Sequence, residues 1–524
     1  MKKYLFFAVA ALGLAACAEK GLEESKSPVE NGEFEQSYVA VTLAADDMSS
    51  KAADGVYDEG TAAERAVKSA YVFFFKDGAA FHVAFDGTTS TNSAPCNYLE
   101  VNLNANGSDM DNVSDIHDAV LILQNYKGEY PNQIVAVLNW DPTAKVSYTL
   151  SELQTKIADL GSDAEGYVMS NAVYADNEKQ TIDAVALTID NIGKTEREAL
   201  DNPVTIHVER IAAKVVFTAE NGGRFPIEKE IDGTDLYAQI MNFELYNDYE
   251  QSWLIKRIDP EWSGIGFAWN DADWFRSYWS RSLGTSFPEN TFMWNSDNTA
   301  LDGYVYCGEN TRAWTEDADV RTKVIVKAQL QDASGNPVEV VNWYGKDYIG
   351  EEKLKTVVAN TLKNTYFSGD GVTFTGITPD DIRCVARDPQ DENAYEVYFQ
   401  LSGTGTTKNW YKYADGNYNA INANADLDAV LAAVQPALVY KNGMTYYWTE
   451  IKHLGAPGSL AEYGVVRNHV YKVNIKDITG YGTPFYTPTI DFIVPDKPED
   501  IITYVAAQIN ILSWRVVRHD YTIE

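Results

Sequence analysis

The side chains that most often do chemistry are scattered in this sequence and poorly spaced for it. Six histidines stand at 82, 117, 207, 453, 469 and 519, and no two have a ligand spacing with a carboxylate helix behind them. A lone histidine on a strand is ordinarily structural. There is no GxSxG elbow, no HExxH helix and no P-loop, and Ser402-Gly403-Thr404-Gly405 is no dinucleotide fingerprint. The acidic pairs Asp271/Asp273 and Asp426/Asp428 lack the glycine and terminal glutamate of an EF-hand loop, so they read as solvated faces. The residues therefore assign no catalytic group, metal or cofactor, and the chain is not read as an enzyme.

Two other residue sets could bind or react. The cysteines are Cys17, Cys96, Cys307 and Cys384. Cys17 belongs to the leader, and the remaining three are odd in number and lack CxxC spacing. That argues against a disulfide framework and a zinc site, and predicts buried, mostly unpaired thiols. Trp253, Trp262, Trp269, Trp274, Tyr278, Trp279 and Trp294 crowd one stretch. Such a density could stack sugar rings, or it could be core and loop packing, since aromatics bury large areas. The irregular Gly and Asp between them favour packing.

These side chains must be carried by a large, mainly β chain. At 524 residues it has room for about three domains of roughly 150 residues, or fewer and larger sandwiches. Composition is 45% hydrophobic, enough for extensive cores, and 42 basic residues against 76 acidic ones leave a formal charge of −34. So acidic a surface repels nucleic-acid phosphates and anionic headgroups, which excludes nucleic acid as a partner.

Period-2 patterns predict the strands. In Ser37–Leu43, Val39, Val41 and Leu43 share one face and Tyr38, Ala40 and Thr42 the other, as in a half-buried strand. Val67–Phe75 ends in a continuous apolar run suited to a strand covered on both faces. Further strands fit Ala119–Leu123, Ile134–Trp140, Asp235–Tyr246, Lys323–Leu330, Glu396–Leu401, Met444–Ile451 and His469–Ile475. Val204–Thr218 is long enough for two strands, or for one crossing a domain boundary. Short helices fit Glu152–Leu160, with Ser151 and Gln154 as a capping box, and also Glu352–Leu362 and Asp426–Val434. Many short strands with few helices indicate sandwiches rather than an α/β enzyme.

Both termini are unusual. Residues 1–17 read MKKYLFFAVAALGLAAC, with an apolar run too short to stay in a bilayer as a permanent helix. The segment resembles a bacterial lipoprotein signal in which Cys17 takes the lipid, the alternative being an ordinary secretory leader with a chance cysteine. At the other end, prolines at 484, 488, 495 and 498 space an extended arm. It leads to Tyr504–Glu524, an apolar strand that is a hazard unless it is paired. There Ile509 and Ile511 share a face while Leu512, Trp514 and Val516 take the other, a phase change that predicts a bulge or sheet switch.

The lipoprotein signal together with SYVAVTLAADDMSSKAADG at 37–55, VTIHVERIAAKVVFT at 204–218, VVRNHVYKVNIKDI at 465–478 and INILSWRVV at 509–517 resembles the major fimbrillins of Bacteroidales fimbriae (type V pili). The likeness is greatest to the stalk subunit of the short fimbriae. It implies two transthyretin-like β-sandwiches, a lipidated precursor displayed on the outer membrane, and a trypsin-like surface protease that cuts behind the first strand. It also implies head-to-tail polymerisation, the C-terminal strand of one copy filling the groove vacated in the next, with accessory anchor and tip subunits as further partners. Carried onto this chain, the cut falls between Lys51 and Ala52, and Ile509, Ile511, Leu512, Trp514 and Val516 belong to the donor strand. The best-known members are cut after Arg, whereas this loop offers Lys; Arg65 is the weaker alternative.

The expected organisation is a signal at 1–17, a tether and removable strand at 18–51, an N-terminal sandwich at 52–208 and a C-terminal sandwich at 209–483. An arm at 484–503 and a donor strand at 504–524 complete it. A stalk subunit is the first reading. An anchor or tip subunit, or a surface glycan-binding lipoprotein using the Trp253–Trp294 cluster, is the alternative.

Overall fold

A computed structural model describes residues 34–45, 60–83, 96–101, 116–126, 128–143, 147–175, 181–258, 281–284, 299–301, 303–311, 320–387, 396–453, 462–484, 486, 505–512 and 518–519. The fold is mainly β with a few short helices.

The first sheet is built around β1 (Phe34–Ala45). It is followed by the four-residue helix α1 (Ala62–Arg65), then β2 (Ala70–Lys76), β3 (Ile116–Tyr126) and β4 (Gln133–Leu138). Helix α2 (Leu150–Gln154), β5 (Met169–Asn171) and β6 (Val204–Arg210) complete the elements that matter here. Hydrogen bonding runs β1–β6–β5–β4–β2, with β3 on the other edge of β1. In β2 the apolar run is covered on both faces, and Phe73, Phe74 and Phe75 are all buried. β1 differs from the alternating pattern: Ala40 is as buried as Val39 and Val41, and Ser37 is buried too. The short helix Glu196–Asp201 packs against β1.

The helix expected at Glu152–Leu160 is instead the shorter α2. Its capping box is Thr149 with Glu152, two residues ahead of Ser151 and Gln154. It stops at Thr155, and Ile157–Asp159 pairs antiparallel with Gln251–Trp253. A five-residue helix carries little cooperativity, so strand pairing wins where β-branched residues begin.

The 204–218 stretch forms two strands, β6 and β7 (Ala213–Ala219). Between them the chain changes core: Ile211 and Ala212 pack in the first apolar cluster, and Ala213 in the second. The second core lies between two sheets. One contains β8 (Thr234–Tyr246) with later strands paired beside it, while β9 (Tyr304–Cys307) borders β7 in the other. β10 (Lys323–Gln331) and β11 (Met444–Glu450) extend the β8 sheet; β12 (Val470–Ile478) and β13 (Val505–Leu512) extend the β7 sheet. Phe217 of β7 stacks on Phe243 of β8, ring centroids 4.7 Å apart, joining the two layers.

A third apolar cluster lies within 341–439, where Leu354 and Val358 of the helix Glu351–Leu362 and Leu427 and Leu431 of the helix Asn424–Ala432 pack with Val397, Phe399 and Val439. Leu354 and Val358 are four apart and Leu427 and Leu431 likewise, so each helix turns one apolar stripe inward.

Candidate functional site

β1 is paired along both edges. On one, Phe34 opposite Tyr126 through Ala44 opposite Ile116 makes an antiparallel ladder with β3. On the other, Val41 opposite Val204 through Ala45 opposite Val208 makes a parallel ladder with β6, and Tyr38 and Val39 face Gly193 and Ile192. A central strand with buried Val39, Ala40 and Val41 satisfies the backbone groups of both neighbours. Its loss would leave two facing edges and an apolar slot.

The next described element after β1 is α1. Thr61 caps this helix with Glu64 as its box partner: Thr61 N donates to Glu64 Oε2 at 2.6 Å and Glu64 N to Thr61 Oγ1 at 3.2 Å. The other carboxylate oxygen accepts from Lys214 Nζ at 2.6 Å and from the Tyr306 hydroxyl. Arg210 Nε donates to the Glu64 main-chain oxygen at 2.7 Å, and Arg210 Nη1 reaches Asn468 Oδ1 at 3.3 Å. Lys214 and Tyr306 are register partners on β7 and β9. Glu64 is wholly buried. Burial pushes its carboxyl up, but hydrogen bonds from Lys214, Tyr306 and Thr61 outweigh that and hold it below its ordinary value. Burial and the bond to Glu64 push the Tyr306 hydroxyl far above its ordinary range.

Beside this lies a buried ionic set. Arg467 donates through Nε to Glu309 Oε2 at 2.8 Å and through Nη2 to the Trp253 carbonyl at 2.6 Å. Lys256 Nζ is 3.8 Å from Glu209 Oε1. Burial pushes the Glu209 carboxyl up to about 6, against the pull of Lys256 and Arg467.

At the other end of the chain, β13 lies antiparallel to β12, from Val470 opposite Leu512 to Ile478 opposite Val505. β12 is itself parallel to β7, Lys214 opposite Val470. β13 therefore extends the β7 sheet, and Arg518–His519 pairs antiparallel along its other edge, His519 opposite Ile509. The family model for the major fimbrial subunit protein type IV, fimbrillin, C-terminal, matches residues 438–520, which take in β11, β12 and β13.

Over this C-terminal stretch the chain is similar to the fimbrillins.

Solved structures that the chain resembles include the fimbrilin FimA of Porphyromonas gingivalis W83, at 11% identity and a TM-score of 0.39, covering 92% of this chain and 98% of that one. The tip fimbrial protein Mfa3 of P. gingivalis, with a C-terminal truncation, is 13% identical at a TM-score of 0.28, covering 91% and 100%. A fimbrial assembly protein from Parabacteroides distasonis is 12% identical at a TM-score of 0.29, covering 73% and 100%. Scores this low do not define a shared topology, and the assignment rests on the C-terminal match. No curated protein matches the sequence.

Of the sites expected from the sequence, Cys17, Lys51, Ala52, Trp514 and Val516 lie outside the described residues. Ser37–Leu43 falls inside β1. Ile509, Ile511 and Leu512 fall on β13, opposite Val473, Tyr471 and Val470. Pairing runs without interruption from 511 to 512. The irregularity lies in the partner strand, between Ile475 and Asp477, so the ladder bulges at β12 rather than at the phase change. Of the aromatic cluster only Trp253 is described, and its ring lies under the Arg257 guanidinium. Asp271 and Asp273 lie outside the described residues, whereas Asp428 Oδ1 accepts from the Leu401 amide at 2.6 Å.

Two histidines separated in sequence meet: His453 and His469 are buried, 5.3 Å between ring centroids, and the Tyr471 hydroxyl lies 3.0 Å from His453 Nδ1. Among the described residues no group of three or more His, Cys, Asp or Glu is placed to hold a metal ion. Cys96 hydrogen-bonds the Tyr98 carbonyl, and Cys307 and Cys384 are free thiols. Sequence reasoning missed Glu64, Lys214 and Tyr306. Two signals were there: Thr61-x-x-Glu64 is a capping-box pattern, and Lys214 interrupts an otherwise apolar run.

Proposed function

We propose that this chain is a fimbrillin, the stalk subunit of a cell-surface fimbria: a structural protein exported as a lipoprotein lipidated at Cys17, activated by proteolysis between Lys51 and Ala52, and polymerised by strand exchange. The units are a removable strand within 18–51, sandwiches at 52–208 and 209–483, an arm at 484–503 and a donor strand at 504–524. One observation carries the reading. β1 is a central, buried strand, and the sequence from Ala45 to Gly60, which holds Lys51, is its covalent link to everything that follows. A single cut there turns β1 into a ligand held only by pairing and packing.

Departure of β1 would leave buried edge groups unpaired, each costing about 1–3 kcal/mol, and an incoming strand repairs edge and slot together. Because the donor belongs to another copy, the contact is head-to-tail and builds a filament. The partners are copies of the chain, anchor and tip subunits, a trypsin-like surface protease, and the outer membrane through the lipid of the precursor. A usable cut site and a terminal donor strand together favour the stalk over an anchor or a tip.

The test uses residues 18–524 without lipid, treated with trypsin and followed by electron microscopy and denaturing gel. Filaments and ladders are expected from the parent. Neither is expected from Lys51→Ala or from a chain stopped at Thr503. If the stopped chain polymerises as well as the full one, strand donation is wrong.

A further inference from the structure

The residue that decides where processing ends is not in the cut loop. We infer that Glu64 is the positioning residue that stops proteolysis short of the first core, by holding α1 so that the Arg65–Ala66 bond cannot enter a trypsin-like protease. This rests on the reading that the loop ahead of α1 is cut.

A helix of four residues does not hold itself in water. Arg65 is its last residue and follows a loop that a protease must reach. A protease binds an extended segment, so hydrolysis after Arg65 requires α1 to unwind and lift away. Glu64 opposes this at three points. Oε2 closes the capping box with Thr61. Oε1 accepts from Lys214 and Tyr306, both on the second sheet, and the main-chain oxygen accepts from Arg210, at the end of β6. Lifting α1 therefore breaks contacts to strands of both sheets and strands the Lys214 ammonium, which is only 12% exposed and lies 4.2 Å from the centre of the Tyr304 ring.

The placement also explains what a second cut would damage. Val67 and Ala70, just beyond Arg65, are buried at the start of β2. Ser69 O and Ala66 O accept from the Asn139 amide and side chain, at 2.9 and 2.8 Å. Cleavage after Arg65 would free this edge of the first core together with the removable strand. With Glu64 in place, the chain remaining after a cut in the loop begins upstream of an anchored helix.

The test uses the chain from residue 18 with Lys51→Ala, so its outcome does not pass through the loop cut; failure of the processing reading appears separately, as parent chain that trypsin does not turn into filaments. Cleavage after Arg65 is timed by mass spectrometry of the peptide beginning at Ala66. Proteolysis follows the open population of a segment, so Glu64→Ala is expected to speed this cut by about tenfold or more. Because Glu64→Ala also removes the helix cap, Lys214→Met with Tyr306→Phe is the second variant. It keeps Glu64 and its cap, and is expected to accelerate the same cut by about threefold or more. Glu64→Gln, which can still bond Tyr306 and Thr61, is expected to fall between parent and Glu64→Ala. If neither Glu64→Ala nor the double variant changes the rate after Arg65, the inference is overturned.

Discussion

Arg467 and Glu309 meet inside the protein, Nη2 to Oε2 at 2.7 Å, with neither side chain reaching solvent. The same guanidinium holds the Trp253 carbonyl, so it binds the β12 approach to a segment packed on the first core. Removing one partner of a buried pair leaves the other charge without compensation. Arg467→Met and Glu309→Leu should each lower stability by about 3–5 kcal/mol. The double substitution should cost less than the sum of the two, which a double-mutant cycle of urea unfolding reads directly.

Glu209 gives the fold a pH dependence of defined sign. Its folded pKa is raised from an ordinary 4.5 to about 6, so its contribution is fully present below pH 4.5 and lost as pH rises through 6. Lys256, Arg467 and Glu309 are the charges that bear on it. The parent should therefore lose about 2 kcal/mol of stability over that window, and Glu209→Gln should flatten the loss. Glu64 acts oppositely: its pKa is held down, so its contribution fades as pH falls below the ordinary carboxylate range. Urea unfolding at several pH values between about 2.5 and 7 would test both signs.

Gly482 holds the chain where the arm begins. Its φ is +73°, and a Cβ there would lie 2.5 Å from Thr445 Oγ1 and 2.6 Å from the Tyr446 carbonyl. Its own carbonyl accepts from the buried Tyr440 hydroxyl at 2.9 Å. Gly482→Ala combines backbone strain with a clash against main chain and should cost about 3 kcal/mol or more in thermal or urea unfolding.

Stopping the chain at Thr503 should be felt in β12. Amides of Val470–Ile478 that bond β13 should exchange about a hundredfold faster in the shortened chain, while those facing β7 keep their protection. Equal protection in both chains would mean that β13 does not cover that edge in solution.

The strands were legible because their signal is local. Glu396–Leu401 falls on the expected residues, and β8, β10 and β11 begin or end within one of them. What alternation could not give was depth. It assigns Ala40 to a wet face, yet Ala40 is buried, in a strand against which helix Glu196–Asp201 packs. The α2 boundary failed for a similar reason, since the pairing of Ile157 with Trp253 is decided nearly a hundred residues away. The junction was the least legible part. Glu64, Lys214 and Tyr306 are far apart in sequence, and nothing local to any one of them names the other two.

The β12–β13 ladder has a kinetic meaning for a donor strand. A tail already seated on its own sheet is tethered to that seat, and tethered partners meet at effective concentrations of order millimolar. If the tail is donated as proposed, a neighbouring slot would have to outbid a competitor built into the donor itself, and elongation would wait on the tail leaving that seat. Under that proposal, each tail given away would also uncover the edge of β12 that β13 now pairs, one newly exposed edge for every link added.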